Sequence, residues 1–201
     1  MKLVIMTMPT FFVEEDKILS ALFEEGMDNL HLNKPGSSPI YSERLLSLLP
    51  EEYYRKITVH NHFYLKNEYD LAGIHLDSPA IPLPEKYKGR ITRTCTDIED
   101  LKNIKKKSDY VFLNGVFGNV PGRDIDTLNA EKLKLAARQG LIDKHVYAMG
   151  GVTLENIKTA HSLGFGGVVV CADLWNKFDI HNGSDYKELI SHFEKLKKAI
   201  S

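Results

Sequence analysis

Two short stretches of this sequence could place histidines and a carboxylate side by side. VHNHF carries His60 and His62, and GIHLD carries His75 and Asp77. In a strand, residues two apart point to the same side, so each pair is predicted to share one face. Such a set could bind zinc, manganese or iron, or it could line a pocket for another ligand. The residues alone leave both interpretations open.

The elements that would position these side chains alternate regularly along the chain. Eight short apolar runs have the length of strands, and segments with helical periodicity separate most of them. The predicted strands span 2–7, 29–33, 57–60, 72–76, 90–94, 109–113, 145–149 and 167–171. The predicted helices span 14–26, 42–49, 96–106, 153–164 and 185–200, with a Ser42 N-cap and capping boxes at Thr96–Glu99 and Thr153–Asn156.

This alternation predicts a parallel sheet, because neighbouring parallel strands need a crossover connection. Eight such units in 201 residues predict one domain over residues 1–201, a compact (β/α)8 TIM barrel of the α/β class. The competing architecture is an open, doubly wound sheet. It is disfavoured because no G-x-G-x-x-G follows the first predicted strand.

Charge and composition exclude several classes of function. The net charge of −1 and a pI near 6.7 provide no field that would attract nucleic acid or an anionic membrane. No run approaches the roughly 20 apolar residues of a membrane span, and no signal-like segment opens the sequence. We therefore expect a cytoplasmic protein that binds small molecules, with a homodimer as a possible assembly. Cys95 and Cys171 are predicted to be free thiols.

In a barrel of this kind the active site lies where the strands end. Four of the eight histidines fall at predicted strand ends, and they come from three successive strands. These histidines are His31, His60, His62 and His75. The other candidates at strand ends are Thr7, Asn33, Lys34, Asn61, Asp77, Arg93, Thr94, Thr96, Asn114, Gly150, Gly151, Cys171, Ala172 and Asp173.

The stretch AMGGVT is typical of a phosphate site. A predicted strand runs into Gly150 and Gly151, and a helix start follows at Thr153. Backbone N–H groups that no side chain obstructs, next to a helix N-terminus, bind anions well. The alternative is that the two glycines only form a tight turn. Barrels commonly hold a substrate phosphate after strands seven and eight, which favours the phosphate interpretation.

Three stretches together resemble one family of barrels. They are GIHLDSP, DYVFLNGVF and AMGGVTLENIKTAHSLGFGGVVVCADL. The resemblance is to the thiamine phosphate synthase and thiazole tautomerase superfamily, and it extends over essentially the whole chain. It implies a (β/α)8 barrel and phosphorylated pyrimidine or thiazole ligands. In the synthases, hydroxymethylpyrimidine diphosphate loses pyrophosphate with the help of magnesium, and a thiazole phosphate captures the cation. In the tautomerases, a thiazole carboxylate phosphate becomes aromatic by proton transfer.

The resemblance implies roles for individual residues. His31, Asn61 and His75 are expected to orient the pyrimidine. Lys34 and Arg93 are expected to meet the diphosphate. The remaining substrate-binding candidates are Asn33, Asn114, Gly150, Gly151 and the backbone of Cys171 and Ala172.

The sequence also departs from the synthase pattern. Asn33 stands where the strand-two arginine is expected, and Pro35 stands where a lysine is expected. Ala80 replaces the second magnesium carboxylate, so Asp77 is expected to be the principal carboxylate for Mg²⁺, with Asn61 as a neutral partner. A basic loop after strand six is absent, and Arg123 is the cation offered there instead.

Three functions therefore remain open at this point. The first is a synthase that makes thiamine phosphate. The second is a tautomerase that moves a proton on a thiazole phosphate, with His31 or His62 as the base, since the pKa of histidine lies near neutral pH. The third is a noncatalytic homologue that binds a phosphorylated ligand.

Overall fold

The computed structural model describes residues 1–118, 128–179 and 185–201. Eight parallel strands close into a barrel in sequence order, and β8 pairs with β1. The strands are β1 (Lys2–Met6), β2 (Leu30–Leu32), β3 (Ile57–Val59), β4 (Gly73–Leu76), β5 (Arg90–Cys95), β6 (Tyr110–Leu113), β7 (Val146–Ala148) and β8 (Gly167–Val170). Every strand lies within or overlaps its predicted span, and the predicted barrel is confirmed.

Helices cover the outside of the barrel and connect most of the strands, although β4 is followed directly by β5 and two helices follow β8. The helices are α1 (Glu15–Glu24), α2 (Pro39–Leu48), α3 (Leu65–Glu68), α4 (Leu101–Lys105), α5 (Ala130–Arg138), α6 (Ile157–Ser162), α7 (Ala172–Trp175) and α8 (Lys187–Ile200). Short 3₁₀ helices precede β3 and α4, at Glu51–Lys56 and Ile98–Asp100.

Three predicted helix starts are wrong. Helix α6 begins at Ile157, four residues after the predicted start at Thr153, and the Asn156 side chain accepts from the Thr153 backbone N–H before the helix. Helix α2 begins at Pro39 with Ser38 as its N-cap, because proline suits the first helical position, so Ser42 lies inside the helix. Before α4, the side chain of Asp97 accepts from the Glu99 backbone N–H, so the predicted Thr96 cap is displaced by one residue.

The final helix, α8, shows how the outer layer attaches. Leu189, His192, Phe193 and Leu196 follow the three-to-four residue spacing of one helix face, and all four are buried. Helix α8 packs on α1, α6 and α7 and against β1. Each buried apolar side chain of this kind contributes about 1.5–3 kcal/mol, so this face holds the end of the chain onto the barrel.

The two faces of the strands have different partners. Outward-pointing side chains such as Leu30, Ile74 and Val168 join the large apolar core beneath the helices. The barrel interior divides into two halves. The half formed by β1, β6, β7 and β8 is mainly apolar, with Val4, Met6, Tyr110, Phe112, Tyr147, Met149 and Val169. The half formed by β2 to β5 is polar and buried, with His31, Thr58, His60, His75, Thr92 and Thr94.

The lengths and the apolar character of the helices show whether any of them could span a membrane. Within the described residues, none of them combines the length and the apolar character needed to cross a bilayer.

Candidate functional site

Three histidines meet inside the polar half of the barrel. His31 lies on β2, His60 directly follows β3, and His75 lies on β4. All three are buried, and one ring nitrogen from each lies within 4.8 Å of the others. These positions lie on the inward faces of their strands, because the neighbouring strand residues belong to the apolar core outside the barrel. Those neighbours are Leu30, Leu32, Val59, Ile74 and Leu76.

His60 connects the other histidines to a carboxylate. Its Nε2 lies 2.8 Å from Nδ1 of His31, and its Nδ1 lies 3.0 and 3.1 Å from the two oxygens of Asp77. The ring of His60 also stacks on the ring of His75, with centroids 4.2 Å apart. Asp77 belongs to the same cluster, as the GIHLD pattern predicted.

His62 does not join this cluster. Strand β3 ends at Val59, and His62 adopts a left-handed backbone conformation with φ of 54°. Its Nε2 lies 3.0 Å from the carbonyl oxygen of Ser37, in the segment that leads into α2. The prediction that His60 and His62 share one strand face is therefore wrong, because the chain turns before the second histidine.

The hydrogen-bond chain continues below His31 to the opposite end of the barrel. Nε2 of His31 lies 2.8 Å from the hydroxyl of Tyr110, and that hydroxyl lies 3.1 Å from Nδ2 of Asn29. Burial, reinforced by His60 and Arg90, holds the pKa of His31 well below its ordinary value. His31 is therefore neutral at physiological pH and has one donor and one acceptor nitrogen.

His75 is held separately, by two hydroxyl groups. Its Nδ1 lies 2.7 Å from Oγ1 of Thr92, and its Nε2 lies 2.8 Å from Oγ1 of Thr94. Its ring stacks on Phe112, at 4.7 Å between centroids, and the rings of His60 and His31 lie 4.2 and 5.3 Å away. His75 thus forms part of the packed layer beneath the barrel mouth.

The geometry of the three rings disfavours a transition-metal centre. All six ring nitrogens of His31, His60 and His75 lie within hydrogen-bond distance of a partner. The rings of His60 and His75 are nearly parallel, at 19°, so their in-plane lone pairs do not converge on one point. A metal ion would have to break several buried hydrogen bonds and rotate a ring. The cluster is therefore better described as a hydrogen-bonded network.

Both residues predicted to hold magnesium are hydrogen-bonded within the protein. Both oxygens of Asp77 face Nδ1 of His60, and Oδ1 of Asn61 accepts from the Lys34 backbone N–H at 2.9 Å. Mg²⁺ requires several hard oxygen ligands in near-octahedral geometry. The predicted protein ligands amount to one carboxylate and one amide, and Mg²⁺ is commonly held by one or two carboxylates together with waters and substrate phosphates. Binding of Mg²⁺ through Asp77 would require one of its oxygens to leave Nδ1 of His60.

Lys34 is engaged in a buried ion pair. Its Nζ lies 2.6 Å from Oε1 of Glu15 on α1 and 2.9 Å from the Thr10 carbonyl oxygen, with the Phe11 ring 4.5 Å away. Burial raises the pKa of Glu15 to about 7, although Lys34 opposes the shift, and burial also lowers the pKa of Lys34. Lys34 therefore faces Glu15 and is not an exposed cation at the mouth.

Arg93 lies on the outer face of β5. Its register partners Leu76 and Val111 are both in the outer core, and its guanidinium donates to Lys107 and Ser108. A side chain in this position is a poor candidate for contact with a diphosphate in the barrel. The other predicted cation, Arg123, lies outside the described residues.

The glycine turn after β7 borders a cavity of about 110 Å³. Its lining residues are Met6, Met149, Gly150, Gly151, Val152, Thr153, Val169, Cys171, Ala172 and Asp173. No acceptor for the backbone N–H groups of Gly151 and Ala172 is found among the described residues. The turn therefore combines a small cavity with backbone N–H groups that have no acceptor among the described residues, which is the combination that a phosphate site requires.

Both glycines also have a steric role. Their φ angles are 92° and 64°, in the left-handed region that glycine adopts without strain. A Cβ at Gly150 would lie 2.2 Å from the Gly118 carbonyl oxygen, and one at Gly151 would lie 2.6 Å from the Phe117 carbonyl oxygen. The tight-turn interpretation is confirmed, because the segment after β6 packs directly on the turn.

The carboxylate of Asp173 stabilises the Gly150–Gly151 turn. Its Oδ2 accepts from the Leu154 backbone N–H at 3.1 Å and lies 2.7 Å from Nε2 of His192 on α8. His192 was not among the residues predicted from the sequence. The sequence feature that could have identified His192 is the presence of a histidine on the apolar face of an amphipathic helix. Tyr110 and Thr92 were also missed, although the alternation of side chains along β6 and β5 indicated that both point into the barrel.

Two amides at the mouth have unpaired atoms. Oδ1 of Asn33 and Nδ2 of Asn114 are buried without a hydrogen-bond partner among the described residues. A buried polar atom without a partner costs about 1–3 kcal/mol. Each of these amides therefore leaves one polar atom without a partner among the described residues.

Comparisons with known proteins agree with this architecture. No family model and no curated protein matches the chain. The structure of thiamine phosphate pyrophosphorylase from Bacteroides thetaiotaomicron is 48% identical, with a TM-score of 0.89, and the match covers 99% of this chain and 97% of that chain. Thiamine phosphate pyrophosphorylase from Pyrococcus furiosus is 18% identical, with a TM-score of 0.77 over 99% of this chain and 95% of that chain, which shows a likeness of fold alone. At 48% identity over nearly the full length of both chains, this chain belongs to the thiamine phosphate pyrophosphorylase family.

Proposed function

We propose that this protein is a transferase of thiamine biosynthesis that joins hydroxymethylpyrimidine diphosphate to a thiazole phosphate and releases pyrophosphate. The observation that carries the proposal is the 48% identity to a thiamine phosphate pyrophosphorylase over 99% of the chain. The inward-facing residues at the barrel mouth then indicate what each part of the site contributes.

The thiazole phosphate is proposed to bind at the turn between β7 and α6. The backbone N–H groups of Gly151 and Ala172 border the cavity of about 110 Å³ and can donate to phosphate oxygens. Met6 and Val169 line its apolar side, where a heterocycle can pack. Asp173 holds the turn through Leu154, so the donors are positioned before the ligand arrives.

The heterocycles are proposed to contact the two unpaired amides. Asn33 can accept a hydrogen bond through Oδ1, and Asn114 can donate one through Nδ2. A ligand that pairs both groups removes the cost of leaving them unsatisfied, whereas an apolar ligand of the same shape does not. This difference favours a polar, nitrogen-containing ring.

The diphosphate end of the site departs from the pattern that the resemblance implied. In the parts of the chain that the structure describes, neither of the predicted cations is free to meet the leaving group. Lys34 is paired with Glu15, and Arg93 lies outside the barrel. We therefore attribute the contribution of the described residues to positioning of the two substrates, which can lower a barrier by several kcal/mol.

The test is formation of thiamine phosphate from the two precursors by the purified protein, followed by chromatography with fluorescence detection. Product formation by the wild type supports the proposal. Absence of product over a range of magnesium concentrations would contradict it. A parallel assay with chelator establishes whether added magnesium is needed.

A matched pair of variants tests the phosphate contact. Ala172→Asp places a negative charge beside the cavity, so it should weaken thiazole phosphate at least 100-fold and change the affinity for the unphosphorylated thiazole alcohol much less. Ala172→Asn has nearly the same shape without the charge and serves as the control. Equal losses with both variants would indicate a steric effect and would argue against a phosphate at this turn.

The proposed substrates also suggest a location and an assembly. Phosphorylated precursors do not cross membranes freely, so we place the reaction in the cytoplasm, which cell fractionation can check. Exposed apolar side chains at Ile40, Tyr41 and Leu48 on α2 are compatible with the expected homodimer. Sedimentation analysis decides between monomer and dimer.

A further inference from the structure

The cavity at the Gly150–Gly151 turn contains a charge of the wrong sign for an anion. Among the described residues that line it, Asp173 is the one that carries a formal charge. A phosphate bound in this cavity would meet a like charge, and like charges in a partly buried site repel each other more strongly than in water. The position of the Asp173 carboxylate therefore affects how well the cavity binds an anion.

Two donors hold this carboxylate in place. Its Oδ2 accepts from the Leu154 backbone N–H at 3.1 Å and lies 2.7 Å from Nε2 of His192. An ionised carboxylate only accepts hydrogen bonds, so Nε2 of His192 carries a hydrogen and donates it. The side chains of Asp173 and His192 are 18% and 10% exposed, so water screens this contact only in part. Hydrogen bonds to an ionised group are stronger than neutral ones, and they orient that group.

His192 reaches Asp173 from the outer layer of helices. It lies on the buried apolar face of α8, next to Phe193, and α8 packs on α6 and α7. A polar side chain on such a face is costly unless it has a hydrogen-bond partner, and Asp173 is that partner. His192 lies outside the lining of the cavity, so any effect on a bound anion must pass through Asp173.

The backbone donors at the turn are divided into two groups. The N–H groups of Thr153 and Leu154 are satisfied by the side chains of Asn156 and Asp173. The N–H groups of Gly151 and Ala172 have no acceptor among the described residues. If the Asp173 carboxylate moved away from Leu154, it would compete with a phosphate for these donors, because it lines the same cavity.

We propose that His192 is a positioning residue for anion binding at the Gly150–Gly151 turn, because its hydrogen bond holds the Asp173 carboxylate on Leu154 and away from the bound anion. The inference rests on the phosphate contact proposed above. It extends that contact to α8, which supplies no residue to the lining of the cavity.

The first experiment titrates the protein with inorganic phosphate at constant pH and ionic strength and follows the NMR shifts of the Gly151 and Ala172 amides. His192→Leu should weaken phosphate at least about tenfold, the effect of losing one hydrogen bond to a charged group. His192→Gln keeps a donor near the position of Nε2, so its dissociation constant should stay within about threefold of the wild-type value.

Phe193→Leu is the matched control for packing, because Phe193 is buried on the same helix and makes no hydrogen bond through its side chain. It should leave phosphate affinity nearly unchanged, and urea denaturation checks that every variant is folded. Equal losses in His192→Leu and Phe193→Leu would overturn the inference, and so would a wild type in which phosphate does not shift the two amides.

The second experiment repeats His192→Leu in the Asp173→Asn background. Without the carboxylate there is no charge to restrain, so the second substitution should then change phosphate affinity less than about threefold, the signature of two residues that act through one contact. A tenfold loss in both backgrounds would overturn the positioning role. Thiamine phosphate formation by the wild type is measured separately, so failure of the proposed condensation is distinguished from failure of this inference.

Discussion

The buried pair between Glu15 and Lys34 provides a sharp test of the energetics in this barrel. Both side chains are almost inaccessible to solvent, and one oxygen of Glu15 has no hydrogen-bond partner among the described residues. Removing one member of such a pair leaves an uncompensated buried charge, whereas replacing both with apolar groups does not. The perturbations are Glu15→Ala alone and Glu15→Leu combined with Lys34→Met.

The magnitudes follow from burial. Glu15→Ala should lower the free energy of unfolding by about 3–5 kcal/mol, as for other broken buried ion pairs. The double variant loses two buried charges together, but it leaves the Thr10 carbonyl oxygen without its donor from Lys34. These effects oppose each other, so the double variant should lie within about 1–2 kcal/mol of the wild type.

The pKa of Glu15 predicts a pH dependence with a definite sign. Burial raises this pKa from 4.5 to about 7 in the folded state. Between pH 4.5 and pH 7 the folded protein binds more protons at Glu15 than the unfolded chain does. The contribution of Glu15 to the free energy of unfolding is therefore full below pH 4.5 and is lost as the pH rises through 7. The loss amounts to roughly 3 kcal/mol. The lowered pKa of Lys34 has the opposite effect, because the contribution of Lys34 to the free energy of unfolding increases as the pH rises toward the pKa of lysine in the unfolded chain.

Urea denaturation at several pH values between 5 and 8 measures both effects. The wild type should lose stability relative to the double variant as the pH rises, and Glu15→Ala should be much less stable than either. The reasoning would be refuted if the difference between wild type and double variant did not change with pH. It would also be refuted if the double variant were as unstable as Glu15→Ala.

Two further predictions concern packing and thiol chemistry. A Cβ at Gly166 would lie 1.9 Å from the Lys144 carbonyl oxygen, so Gly166→Ala should lower the free energy of unfolding by about 3 kcal/mol or more in urea denaturation. Gly140→Ala is the control, because Gly140 has open space around it and only a positive φ, and this variant should cost about 1 kcal/mol. Equal costs would contradict the steric argument. Burial raises the pKa of Cys95 to about 11 and that of Cys171 to about 12. At pH 8 both thiols of the folded protein should therefore react with a disulfide reagent at least 100-fold more slowly than the same thiols do in urea. Rapid labelling of the folded protein would contradict this prediction.

Much of the architecture was readable from local patterns. Eight apolar runs alternated with helical segments, and such units bury both faces of a parallel sheet either in a closed barrel or in an open, doubly wound sheet. The period of two along each strand also placed His31 and His75 on inward faces. The same parity places Arg93 outward, since it lies between the buried, inward Thr92 and Thr94.

By itself, the sequence determined the barrel, the strand ends that carry the polar residues, and the position of the glycine turn, because each depends on a pattern within a few neighbouring residues. The tertiary structure decided which polar groups meet. His31 reaches His60 across 29 positions of the chain and Tyr110 across 79, and these contacts exist only because strand register and barrel closure bring the inward faces together. Likewise, whether Lys34 faced a substrate or Glu15 depended on how α1 packs beside β2. Local patterns specify the direction of a side chain, whereas its partner depends on the distances that the closed barrel sets.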